Sequence, residues 1–154
     1  MGISSCDNTP GGIQSWEFLN KSGGDLLWDV IEKSRKGAEF DSFEQDRQLR
    51  DILSTLSEDD YNDVLRHWRG VLSCIESNPN FDLLHISNGG IVDGGDDSFY
   101  MDFGHWVVAQ GKELCDGFIR NGHKTIIKYI EDNNISEDDY TYECMAYCFD
   151  RDED

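Results

Sequence analysis

The side chains of this chain that are able to do chemistry are four histidines, five cysteines and a large excess of carboxylates, and their spacing limits what that chemistry can be. His67, His85, His105 and His123 stand apart from one another, and neither a GxSxG nor an HExxH pattern occurs. A nucleophile or general base needs an orienting partner and a stabiliser of developing charge, and no local phrase supplies that set. Cys6, Cys74, Cys115, Cys144 and Cys148 are odd in number, scattered and without CxxC, which is neither a disulfide framework nor a zinc site of the usual spacing. Cys144 and Cys148 lie one helical turn apart and could share a metal with a histidine. As small apolar residues on a buried helix face they need none, and that reading is preferred. Cys115 has no signature of activation, and His105 beside Trp106 reads as packed or solvent-facing. The expectation is a protein that is not an enzyme and carries no metal or cofactor. A Cys/His pair or carboxylate dyad assembled only in space leaves no trace in a sequence.

The carboxylates say more. There are 32 acidic against 13 basic residues in 154, a formal net charge of -19. Folding does not ask for this, since self-repulsion destabilises a compact state while it favours solubility and fast association with cations. The excess is concentrated: ten acids and one base, Arg151, lie between Glu131 and Asp154. Further foci run from Asp93 through Asp96 and Asp97 to Asp102, and from Glu58 to Asp63. Nucleic acid and anionic membranes are poor direct partners for such a surface, because phosphate binding needs Lys and Arg to displace counterions. A cationic protein is the expected partner; the bland alternative is a solvated acidic surface that only keeps the chain soluble.

Part of the acidity belongs to helix starts. LSEDDY at Leu56–Tyr61 and ISEDDY at Ile135–Tyr140 each place a serine, Ser57 or Ser136, at an N-cap with carboxylates in the first turn. Asp60 and Asp139 fall at the capping-box position, and Glu58, Asp59, Glu137 and Asp138 meet the positive end of the helix dipole. The segment Asn88 to Ser98 is harder to assign to folding, with four glycines and three aspartates in eleven residues. It fails the EF-hand spacing and has no closing bidentate Glu, and it lacks the Lys and hydroxyl of a phosphate loop. It reads as a tight turn capped by Asp97 or Ser98, as an anionic recognition loop, or as a cation site.

The elements that must position these groups are helices. Leu26, Leu27, Val30 and Ile31 open the first, ending near Gly37; Leu49, Ile52, Leu53 and Leu56 mark a second; Tyr61 to Ile75 a third, closed by Asn78-Pro79. Phe99, Phe103, Trp106, Val107, Leu114 and Phe118 predict one long central helix from about Ser98, followed by Lys124–Asp132 and Glu137–Phe149. Period-two alternation is nearly absent, so the fold class is all-α: a single-domain bundle of about six helices with a Gly/Asp-rich loop before the central one. Residues 1–24 read as a tail or short extended segment, 25–150 as the helical domain and 151–154 as an acidic tail. No apolar run of about 18 residues or signal peptide occurs, and with the cysteine usage this points to the cytoplasm.

The phrase Phe99, Asp102-Phe103, Trp106-Val107-Val108, Gln110-Gly111-Lys112, preceded by Asn-Gly-Gly and Asp-Asp-Ser-Phe, resembles the bacterial domain-of-unknown-function family 4240. Leu27-Trp28-Asp29-Val30-Ile31-Glu32 is similar to its opening helix, Leu53 through Tyr61 to its central helix junction and Tyr142-Glu143 to its closing helix, so the likeness covers roughly 25–149. The chain departs from the pattern in a longer turn at Ile91 to Gly95 and in Gly104-His105, where an Arg-x is common. The resemblance implies a bacterial, mostly helical, cytoplasmic domain. With the charge, it leads to the expectation of an acidic inhibitor, an immunity protein that neutralises a basic toxin such as a nuclease. The expected contact residues are Asp93, Asp96, Asp97, Asp102, Glu137, Asp138 and Asp139, with Trp16 or Phe18 as an aromatic anchor. The alternatives are a regulatory or adaptor domain, or a phage-type DNA mimic.

Overall fold

The computed structural model describes Trp16, Glu17, Leu19, residues 25–95 and 98–141, Cys148 and Phe149. Among them are eight α-helices and no strand, the single-domain all-α architecture expected. Helix α1 (Asp25–Arg35) buries Leu27, Trp28, Val30 and Ile31, a spacing of three and four that puts them on one face. Gly37, at φ 79°, lets the chain turn out of it. Helix α2 (Ser42–Ser54) starts at Asp41, whose carboxylate accepts from the Glu44 N–H at 3.1 Å. Helix α3 (Glu58–Glu76) is the centre of the bundle, with Trp68, Val71 and Ile75 wholly buried. Asn78 then caps α4 (Pro79–Asp82), where proline at the first turn costs no hydrogen bond.

Both serine caps form. Ser57 Oγ accepts from the Asp60 N–H at 3.1 Å, and Ser136 Oγ accepts from the Asp138 N–H at 3.2 Å, opening α8 (Glu137–Tyr140). Replacing an N-cap serine by alanine leaves first-turn donors unsatisfied and costs about 1 kcal/mol. Ser57→Ala is therefore expected to lower the melting temperature by roughly 2–4 °C. Ser136→Ala, at the head of a single helical turn, should lower it less; thermal denaturation of the two variants checks the order.

The predicted central helix is not continuous. A π-helical turn (Ser98–Phe103) runs into α5 (Gly104–Ala109), the chain breaks at Gln110-Gly111, and α6 (Lys112–Asn121) sets off anew, followed by α7 (Lys124–Asp132). The break is made at Gly111, whose φ of 109° and ψ of 174° no helix shares. The apolar stripe persists up to it: Phe99 stacks on Phe103 and Phe103 on Trp106, each pair 5.8 Å between centroids. Phe81 from α4 packs against both phenylalanines, and Phe118 of α6 meets Phe81 edge-on.

Trp16, expected as an exposed anchor for a partner, is a core residue. It is 1% exposed, packs on Trp28 at 6.2 Å and donates its indole N–H to Asp116 at 2.9 Å. A tryptophan that finds both an aromatic neighbour and an acceptor gains more from burial than from display. Leu19 follows it onto the body, lying over the bare Cα of Gly70. Phe18, the other proposed anchor, lies outside the described residues.

Candidate functional site

Helix α5 ends inside the protein, so its last carbonyls need side-chain donors. Gln45 of α2 supplies one, donating to the Ala109 carbonyl at 2.7 Å and to Ser34 Oγ at 3.2 Å. Arg35, at the end of α1, supplies the other: Nη1 donates to the Gln110 carbonyl and Nη2 to the Tyr129 hydroxyl at 3.0 Å. The Tyr129 O–H in turn donates to Gln110 Oε1 at 2.8 Å, and Gln110 Nε2 to the Trp106 carbonyl at 3.3 Å. The Arg35 charge also meets the negative end of the α5 dipole. The helix break is thus fixed by residues 75 and 94 positions apart in sequence.

Outside this junction lies a two-lobed cleft. One lobe, about 340 Å³, is bounded by Glu32, Arg35, Gln110, Leu114 and Tyr129. The other, about 660 Å³, is walled by Trp16 and Trp28 with Lys112, Asp116 and Arg120 at its mouth. Glu32 and Glu113 line both. No sequence phrase pointed to this cleft, because its parts come from α1, α6, α7, the end of α5 and Trp16; the one local signal was Gln110-Gly111, a glycine interrupting an otherwise helical pattern.

The acidic residues expected to meet a partner divide into two groups. Asp93, Glu137 and Asp138 are exposed. Asp139 is half-buried and tied down: its carboxylate accepts from the Ser42 N–H at 3.1 Å, and its carbonyl accepts from Ser42 Oγ at 2.6 Å. Its carboxylate therefore holds the start of α2 instead of reaching back along its own helix. Asp102 is half-buried in the π-helical turn, and Asp96 and Asp97 lie outside the described residues.

The Gly/Asp segment is a backbone clasp. The Ile91 and Val92 N–H groups both donate to the Leu84 carbonyl at 2.9 Å, and the Ile86 N–H donates to the Val92 carbonyl at 2.8 Å. His85 closes it, its Nε2 2.7 Å from the Gly94 carbonyl and its Nδ1 accepting from the Ser87 N–H at 3.1 Å. Gly89 takes a φ of 92°, and a Cβ on Gly90 would overlap the Leu84 carbonyl. Leu83 and Ile86 remain exposed on its outside, 40% and 53% respectively. The Tyr140 hydroxyl of α8 reaches the Ile91 carbonyl at 3.5 Å, so the clasp with Asp93 and the α8 start with Glu137 and Asp138 are neighbours.

The other histidines and the buried cysteines pack against neighbours. His105 Nδ1 accepts from the Trp68 indole N–H at 2.9 Å, and burial brings its pKa down to about 4. Burial also lowers that of His67, which stands edge-on to Trp28, while His123 contacts Asn80. Cys115 is fully buried, which pushes its thiol well above the usual range. Cys148 is buried and Cys144 lies outside the described residues, among which no three histidine, cysteine or carboxylate side chains are grouped as metal ligands. Glu76 of α3 is the outlier: burial raises its carboxyl to about 7, and its Oε2 is buried with no hydrogen-bond partner.

A family model described as a protein of unknown function (DUF4240) matches residues 24–152. The chain belongs to the DUF4240 family. No curated protein and no solved structure matches it. The DUF4240 phrase from Trp106 to Lys112 acquires a physical meaning in this fold. Trp106 fills the core, Gln110 satisfies Tyr129 and its own helix, Gly111 makes the break, and Lys112 starts α6 at the rim of the cleft. Of the opening helix phrase in this DUF4240 chain, Leu27, Trp28, Val30 and Ile31 are core and Glu32 faces the cleft.

Proposed function

We propose that this DUF4240 protein is a non-catalytic inhibitor of a cationic protein: a bacterial, cytoplasmic immunity protein that neutralises a basic toxin by covering its active site or substrate cleft. The observation that carries the reading is the meeting of two acidic foci. The clasp and α8 meet through Tyr140; the clasp exposes Leu83, Ile86 and Asp93, and the α8 start exposes Glu137 and Asp138. Exposed apolar side chains on the clasp, with acids on the clasp and on the adjoining helix, suit a protein-binding patch.

The distribution of bases supports it. Lys33, Arg47, Arg66 and Lys128 are each bonded to carboxylates three or four residues away on their own helix, and Arg120 to Asp116 and Glu17. Such pairs are worth little in stability, and each cancels one base against one acid; none of them uses Asp93, Glu137 or Asp138, which keep their charge for a partner. The packing of His67 against Trp28 and of His105 against Trp68, with the burial of Cys115, favours binding over catalysis. No helix among the described residues is long and apolar enough to cross a membrane.

The test is capture of the partner from the native host, followed by binding with purified components at low and high salt. A basic partner is expected, whose toxicity is relieved by co-expression and whose affinity falls at least tenfold, about 1.4 kcal/mol, on reversing Asp93, Asp96 and Asp97 together. A neutral partner with salt-independent affinity would replace this reading by the adaptor one. A nucleic-acid-binding partner released by competing DNA would make the protein a DNA mimic.

A further inference from the structure

We infer that the two-lobed cleft at the α5–α6 break binds the zwitterionic head of a free α-amino acid, with its carboxylate on Arg35 and its ammonium on Glu32 and Glu113. The inference starts from Arg35. Among the described residues, the basic side chains without a carboxylate partner are Arg35, Lys36, Arg69, Lys112 and Lys124, and all but Arg35 are exposed. Arg35 is half-buried, the two acceptors of its Nη groups are neutral, and its Nε is buried with no partner. Its guanidinium lies over the Phe40 ring, 6.0 Å from the centroid, and no carboxylate bonds to it, although in a chain of net charge -19 acids are plentiful.

The acids are present and held off. Glu32 and Glu113 line the same cleft and form no ion pair. On the same rim Lys128 and Asp132 have collapsed onto each other at 2.7 Å, so the surroundings do not prevent pairing. Arg35 is turned away by its bonds to Gln110 and Tyr129, and Gly111 lies between it and Glu32. A Cβ on Gly111 would stand 3.6 Å from Arg35 Nη1 and 3.6 Å from Glu32 Oε2. The two charges are therefore no more than twice that distance apart, with bare backbone between them. An α-amino acid carries its carboxylate and ammonium on a single carbon, which suits opposite charges a few ångströms apart and unbonded to each other. A guanidinium donates in parallel to a carboxylate, and the glutamates accept from the ammonium. The larger lobe, walled by Trp16 and Trp28, is where the ligand side chain goes. This inference does not rest on the inhibitor reading, since none of its residues belongs to the clasp or α8.

The experiment is calorimetry and thermal denaturation of the whole chain with a panel of free α-amino acids, with propionate and propylamine as the two half-ligands. At about 100 times its Kd the preferred amino acid should raise the melting temperature by roughly 5–10 °C, while neither half-ligand does so at equal concentration. Glu32→Gln is the control that stays folded, because Glu32 is exposed and bonded to nothing; it should weaken binding by at least about tenfold with the unliganded melting temperature unchanged. The inference fails if no amino acid gives a saturable response, if propionate alone matches the best of them, or if Glu32→Gln binds as wild type.

Discussion

Gly90→Ala is expected to destabilise the protein by about 3 kcal/mol, the upper end of the usual overpacking cost, and to lower its melting temperature by roughly 6–12 °C. The new methyl group would overlap the Leu84 carbonyl, which already accepts from the Ile91 and Val92 N–H groups. A flexible side chain would swing aside, but a backbone carbonyl with two donors cannot, so the clasp must open. Two neighbouring glycines calibrate the result. Gly89 has φ of 92° and open space around it, so Gly89→Ala carries only the left-handed strain of about 1–2 kcal/mol. Gly95 has neither the positive φ nor a near neighbour, and Gly95→Ala should be within about 0.5 kcal/mol of wild type. Urea denaturation of the three variants tests the order. Equal losses at Gly90 and Gly95 would mean the clasp is not closed as described.

Glu76→Gln is expected to act in the opposite direction, stabilising the protein at pH 8 by about 1–2 kcal/mol, because the amide is neutral where burial penalises the carboxylate's charge. The carboxylate sits over the bare Cα of Gly104, its Oε2 buried without a donor, and burial raises its pKa from 4.5 to about 7. The folded state therefore holds this proton more tightly than the unfolded chain. Its stabilising effect is complete below pH 4.5, declines as pH rises towards 7 and is gone above that. Relief of repulsion among the other carboxylates also favours acid, so wild type alone cannot isolate the effect. The difference between wild type and Glu76→Gln can: it should grow from pH 4.5 to 7 and then level. A difference that is flat across that range would mean the group ionises freely in the folded state.

Much of the fold was legible because it is written locally. Ser57 and Ser136 announce their helices, the three-and-four spacing from Tyr61 to Ile75 gives α3 almost to its ends, and Asn78-Pro79 marks its close. The central helix misled for the same reason: the apolar stripe from Phe99 to Phe118 continues across Gly111, and only the backbone angle there shows that the ladder stops. Trp16 misled because aromatic residues in a Gly-rich stretch look displayed, whereas its acceptor, Asp116, is a hundred residues away. Glu76 was silent for want of a local sign that a carboxylate near the end of an amphipathic helix would turn inward. The cleft was equally silent, since Arg35, Gln110 and Tyr129 meet only in three dimensions. Of the acidic surface, the sequence located the foci, and the fold decided that Asp139 serves Ser42 while Asp93, Glu137 and Asp138 face outward.

The break at Gly111 also sets how the molecule comes apart. In one unbroken rod, amides on either side would share a hydrogen-bond ladder and lose protection together. Here the Gly111 N–H closes back onto the Val108 carbonyl, while the Cys115 N–H begins a new ladder on the Gly111 carbonyl. The segment carrying Trp106 and the segment carrying Phe118 thus have separate backbone ladders and are held together by side-chain packing, Phe118 against Phe81 among it. Local opening of α6 would therefore uncover Phe81 at the edge of the aromatic stack as well as the floor of the cleft.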